Sequence, residues 1–148
     1  MKEQITLKNK YTIKYFSLQV FISSPTARRL KIDNKPGKDV VGRLNLLVDN
    51  ILDPLREAYG KPVIVTSGYR CPALNKAVGG VKSSQHMLGE AADIRTVSDK
   101  PEDNRRLFDL CRELKLPFDQ LIDEYGYNWI HVSFSPRHHP RDEVRLSL

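Results

Sequence analysis

The chain has 148 residues, 40% hydrophobic and 28% charged, enough to bury a core without metal or disulfide staples; a single monomeric domain over residues 1–148 is expected. No apolar run approaches the roughly 20 residues that cross a bilayer, so membrane insertion is not expected. The net charge of +6 favours an anionic partner, but the basic residues are dispersed, with no lysine-arginine block or aromatic-studded basic helix, and nucleic acid is set aside.

Residues 1–16 alternate loosely at Ile5, Leu7, Tyr11, Ile13 and Tyr15 and read as an extended arm. They lack the apolar segment and cleavage site of a secretory signal, which predicts cytoplasmic synthesis without a signal peptide. Ser17 opens a short helix through Phe21 and Ile22. Ser24-Pro25-Thr26 reads as a second helix start, serine at the cap and proline in the first turn. After the turn at Asp33-Asn34-Lys35-Pro36-Gly37, Val40, Val41, Leu44, Leu47, Val48, Ile51, Leu52 and Leu55 recur at spacings of three and four. That pattern predicts a long amphipathic helix ending near Gly60, kinked or split at Pro54.

Val63-Ile64-Val65-Thr66 reads as a buried strand entering a loop at Ser67-Gly68. A glycine-rich stretch follows, with Ala91-Ala92-Asp93-Ile94 as a second strand. Pro101-Glu102-Asp103 opens a helix whose apolar face includes Leu107, Leu110 and Leu114, its first-turn acids suiting the helix dipole. Residues 118–124 and 129–134 form an antiparallel hairpin around Tyr125-Gly126-Tyr127-Asn128, and residues 135–148 read as a polar tail. The order of elements predicts an α+β fold: a small antiparallel sheet packed with helices. Cys71 and Cys111 are too few for a disulfide framework and too distant for a CxxC motif; Cys71 reads as a packing residue.

The run from Ser84 to Asp93 and the later Trp129-Ile130-His131 supply two imidazoles and one carboxylate, in His86, His131 and Asp93. Three N/O ligands with the fourth position left to water make a hydrolytic zinc site, whereas structural zinc is closed by four protein ligands. Strand alternation places Trp129, His131 and Ser133 on one face and Ile130, Val132 and Phe134 on the other. A four-residue loop sets Glu124 opposite Trp129, Ile122 opposite His131 and Gln120 opposite Ser133. Glu124 is then a diagonal neighbour of His131, about 7 Å away or less at the side-chain roots; a one-residue slip would send it to the other face. Gly89, Ala91 and Ala92 let the backbone fold tightly around an ion. Arg70, in the loop after the first strand, offers a fork of donors to a carbonyl or carboxylate. His138 and His139 read as an exposed surface pair.

Ser84-x-His86-x-x-Gly89-x-Ala91-x-Asp93 with the distal His131 resembles the zinc D-alanyl-D-alanine carboxypeptidase and murein endopeptidase family, whose fold also appears in hedgehog signalling domains. The likeness continues through Ser24-x-Thr26-Ala27, Ile32-Asp33-Asn34-x-Pro36, Leu52-Asp53-Pro54-Leu55-Arg56, Thr66-Ser67-Gly68-Tyr69-Arg70 and Phe118-Asp119-Gln120-Leu121-Ile122. Over residues 17–134 it looks like the phage- and prophage-associated branch. The resemblance implies one zinc per chain on His86, Asp93 and His131, with Arg70 engaging substrate beside it. Peptidoglycan stem or cross-bridge peptides are the implied substrate, reached after release or delivery to the wall.

Several relatives carry an acidic residue three positions before the distal histidine, or a histidine two positions before it; here Asn128 and Trp129 stand there. Neither can exchange protons usefully near neutral pH. Glu124 is therefore the expected base, with Asp123 behind it. Trp129 reads as a wall of the substrate groove, and Ser84 and Gln85 as hydrogen-bonding partners of the substrate or of the ligands. The departure keeps two other readings open: a zinc-containing binding module without hydrolysis, and a metal-free phage structural protein.

Overall fold

The apolar periodicity of the first half becomes a layer of helices, and the β-branched runs of the second half become one sheet. The computed structural model describes residues 15–146; of the arm read at residues 1–16, all but the last two lie outside the described residues. Helix α1 (Leu18–Ile22) leads into α2 (Pro25–Leu30), where the Ser24 hydroxyl accepts the Ala27 N–H at 3.1 Å and Pro25 fills the first turn. Helix α3 (Lys38–Leu47) then passes through a π-helical turn (Val48–Leu52) into α4 (Asp53–Tyr59). The split expected at Pro54 is this widened turn. Proline has no N–H to donate and its ring crowds the turn before it, and the ladder shifts to longer bonds such as Asp53 N–H to the Val48 carbonyl. The apolar stripe survives the shift, with Leu44, Leu47, Val48, Ile51, Leu52 and Leu55 all buried.

The sheet contains β1 (Val63–Ser67), β2 (Ala91–Thr96), β3 (Gln120–Glu124), β4 (Trp129–Ser133) and β5 (Glu143–Leu146), in the order β1-β2-β4-β3-β5. The first four are antiparallel neighbours, but β5 runs parallel to β3. The class is α+β as expected; the sheet is mixed, not wholly antiparallel. Helix α6 (Pro101–Glu113) covers one face, burying Leu107, Phe108 and Cys111 in one core with Ile94, Leu121, Ile130 and Val132. Leu114, read as part of that face, is exposed where the helix ends. Burial pushes the Cys111 thiol up to about 12, so it behaves as a small apolar residue. In the glycine-rich stretch, where periodicity predicts no element, lie a short helix α5 (Pro72–Ala77) and a 3-10 turn (Gln85–Leu88). Cys71 caps α5, its sulfur accepting the Leu74 N–H at 3.4 Å.

The segment read as a polar tail over residues 135–148 thus includes a strand, and ion pairs are what dock it. Arg137 donates from Nε and Nη2 to the two oxygens of Glu90 at 2.8 and 2.9 Å, and Arg141 likewise to Asp119 at 3.0 and 2.8 Å. Both carboxylates are fully buried. Burial works to raise their pKa values, but the hydrogen bonds and charge of the arginines prevail and hold both below the ordinary 4.5 and 3.8. A depressed carboxylate stabilises the fold above its unfolded pKa and loses that contribution as pH falls through the folded value. Stability to urea should therefore hold at pH 7 and decline below about pH 4.5. Arg141→Ala takes the guanidinium from buried Asp119, leaving it Gln85 and a backbone N–H but no paired charge of that strength, and should cost about 2 kcal/mol at pH 7. The gap to wild type should narrow in acid; equal stability at pH 7 would show that the pair does not hold the strand.

Candidate metal centre

Three elements converge on the open face of the sheet. Asp93 on β2 pairs directly with His131 on β4, which pairs in turn with Ile122 on β3, and Glu124 pairs with Trp129. This is the register that a four-residue loop dictates. His86 arrives from the 3-10 turn, where the Ser84 hydroxyl accepts the His86 N–H at 3.1 Å. Gly89 ends that turn at φ +78°, and a Cβ there would meet the Val40 carbonyl of α3 at 2.8 Å. Only glycine lets the turn lie so close to the helix. Arg43 of α3 fastens it by donating to the Leu88 carbonyl.

The His86 Nδ1 lies 2.6 Å from the Gly68 carbonyl. A carbonyl only accepts, so Nδ1 carries the proton and Nε2 presents its lone pair. That Nε2 is buried, has no hydrogen-bond partner, and stands 3.4 Å from Asp93 Oδ1; His131 Nδ1 is 3.0 Å from the same oxygen. All three ligand atoms lie within 4.8 Å of one another. Zinc bonds of about 2.0–2.1 Å arranged tetrahedrally space their ligand atoms about 3.3 Å apart, so this cluster fits one ion. A buried nitrogen lone pair without a partner is costly, and a cation resolves it. A carbonyl on the other ring nitrogen is the outer hydrogen bond that would fix the tautomer of this histidine for a metal. Burial works to raise the Asp93 pKa, but the hydrogen bond from His131 and the closeness of both imidazoles hold its carboxyl well below the carboxylate range.

Arg70 stands at the β1 side of the cluster. Its N–H donates to the His86 carbonyl at 3.0 Å and its Nη2 to the Ser84 hydroxyl at 3.2 Å, while its buried Nε has no partner. Burial lowers its pKa and Asp93 partly restores it. Glu124 is half-buried; burial first, then Asp93 and Asp123, push its carboxyl above the usual range, against the opposing pull of His131 and His86. Trp129 leans on Tyr125 with ring centroids 5.2 Å apart. Together with His86, Asp93 and His131, these groups line a groove of about 850 Å³. Ser84 and Gln85 also border it; the Ser84 hydroxyl accepts from His86 N–H and Arg70, and the Gln85 amide nitrogen is engaged while its Oε1 has no partner. Gln85 Nε2 donates to both Glu90 and Asp119 at 3.0 Å. Asn128 is exposed, and His138 and His139 are too.

Two buried asparagines position the site, Asn34 from the segment before α3 and Asn104 from α6. Asn34 donates to the Ile22 and Tyr69 carbonyls, each at 3.0 Å, and accepts the Cys71 N–H at 2.8 Å, fixing the backbone on both sides of Arg70. Asn104 accepts from the Thr96 N–H and hydroxyl at 2.8 Å and donates to the Tyr127 and Asn128 carbonyls at 3.0 and 3.2 Å. It ties the end of β2 to the hairpin loop. Its sequence signal is an amide on the core-facing side of α6, in helical step with Leu107, Phe108 and Cys111.

A helix-backed sheet whose open face carries three N/O donors has the ligand set of a hydrolytic zinc site, not a closed structural one. The family model for Peptidase M15 matches residues 14–133, and the chain belongs to that family. Over 44 residues it is 46% identical to the zinc D-Ala-D-Ala carboxypeptidase of Streptomyces albus G. That match covers 29% of the chain and 17% of the relative. Metal analysis after dialysis should find one zinc per wild-type chain, while His86→Ala and Asp93→Ala should lose it. A full complement of zinc in either variant would sink the ligand assignment.

Proposed function

We propose that the protein is a zinc-dependent peptidase acting on the stem or cross-bridge peptides of peptidoglycan. The observation that carries this reading is the unpartnered His86 Nε2, buried beside Asp93 and His131 in a chain of the Peptidase M15 family. His86, Asp93 and His131 would hold a zinc ion, which would supply Lewis acidity toward a water and the scissile carbonyl.

The chain's own groups complete the reaction. Glu124, a diagonal neighbour of His131 on the same face, takes the proton of the attacking water and returns it to the leaving amine. A carboxyl whose pKa is raised by burial lies nearer neutrality and serves both steps better than an ordinary glutamate. Arg70 holds a substrate carbonyl or carboxylate where negative charge develops, and its partial burial strengthens that contact. Trp129 walls the groove beside Glu124. The name of the Streptomyces albus G relative joins zinc to D-Ala-D-Ala, and a net charge of +6 concentrates the protein on an anionic polymer.

Zinc-loaded protein incubated with purified peptidoglycan should release new amines, and mass analysis of the muropeptides identifies the bond. Glu124→Gln should retain zinc and lose about 10²- to 10⁴-fold in rate. A fully active variant would place the base elsewhere. No zinc-dependent release by wild type would overturn the peptidase and favour the binding module that Asn128 and Trp129 keep open.

A further inference from the structure

The sheet extends the row of metal ligands beyond the ligands themselves. Asp93 pairs with His131, His131 with Ile122, and Ile122 with Arg145 of β5. Paired residues project to the same face, so four strands contribute one line of side chains across the groove. Arg145 lines the same groove as His86 and Glu124, and its side chain is 60% exposed. Adjacent strands lie about 4.8 Å apart, which sets Arg145 about 10 Å from His131 at the backbone. Arg70 enters from the opposite side, beyond β1.

The charges around Arg145 favour an anion there. Arg137 and Arg141 also line this end of the groove, while the carboxylates that balance them, Glu90 and Asp119, are fully buried behind them. Glu143 occupies the Nε of Arg145 and accepts a hydrogen bond from Gln120. Glu143 also pairs with Arg141, so it is shared between two guanidinium groups; the Nη groups of Arg145 make no hydrogen bond among the described residues and form a fork that matches a second carboxylate. The family match ends at residue 133, so β5 and its arginine lie outside the matched region.

We propose that Arg145 determines specificity by receiving a free carboxylate of the substrate peptide, about three extended residues from the cleaved bond at about 3.3 Å per residue, on the side away from Arg70. This deepens the peptidase reading and rests on it. The probes are soluble peptidoglycan peptides with free carboxylates and the same peptides converted to amides. Binding by calorimetry and hydrolysis kinetics are measured with zinc-loaded wild type, Arg145→Ala and Arg145→Lys.

Wild type should prefer the acid form about fivefold, the difference appearing in KM and in binding more than in kcat. Arg145→Lys should keep the sign of the preference, and Arg145→Ala should lose it. Amidation also alters any carboxylate held by Arg70, so the quantity that decides is the part of the preference that disappears with Arg145. Full preference in Arg145→Ala overturns the subsite even where hydrolysis is normal. An Arg145-dependent preference in binding without any hydrolysis overturns the peptidase and leaves the subsite standing. Absence of both removes both.

Discussion

Opposite one another across β2 and β4, Asp93 and His131 form the contact on which the site turns. Strands have a side-chain period of two, so a slip of one residue would carry His131 into the core and put an isoleucine in the groove. The buried face forbids that slip. Ala92, Ile94, Ile130, Val132 and Leu121 are fully buried, and exposing a large apolar side chain costs about 1.5–3 kcal/mol. The register that holds the ligands together is thus set by residues that never touch them. The same ladder carries Glu124 and Arg145 onto the groove face, so core packing aligns four polar groups at once.

His86 has no strand to place it and relies on polar bonds instead. The Gly68 carbonyl orients its ring, Ser84 holds its backbone, and Gln85 anchors the turn by donating to two buried carboxylates. Buried charges are affordable only when fully engaged. Glu90 and Asp119 satisfy that condition through paired bonds from Arg137 and Arg141. The network runs from the segment carrying Arg137 and Arg141 through Glu90 and Asp119 to Gln85, the residue before His86. Loss of either arginine would leave a carboxylate uncompensated one bond away from the metal turn, which couples the last strand to the centre of the site.

What could be read from the chain follows from which interactions are local. Helix stripes, strand alternation and the hairpin loop are short-range patterns, and they gave the α+β class and the pairing of Ile122 with His131 in advance. His86, Asp93 and His131 could be grouped by donor chemistry alone. Strand β5 could not be seen, because Glu143-Val144-Arg145-Leu146 is too polar to signal a strand and docks through partners about 20 to 50 residues away. The work of Asn34 and Asn104 was hidden for the same reason: one stood in a turn and the other on the core side of α6, and nothing local told which distant backbone groups each would serve. The π-helical turn before Pro54 was half legible, since proline announces a disruption without saying how the ladder will absorb it.

The proposed base, Glu124, takes its place from the strand ladder and not from the hairpin loop. A residue three before His131 on an ideal strand would point to the opposite face, because odd spacings alternate. Such a residue reaches the metal only if the loop turns it back. Here Asn128 belongs to that loop, its carbonyl engaged by Asn104 and its side chain exposed. Glu124 lies across the ladder from Trp129, on the ligand face by register alone, and needs no distortion of the loop to stay there. A cross-strand neighbour is also held by the ladder's own hydrogen bonds, which places a proton carrier more rigidly than an exposed loop does. A carboxylate on the facing strand is therefore held by the same register that aligns Asp93 with His131, while the loop itself is stapled to α6 through Asn104.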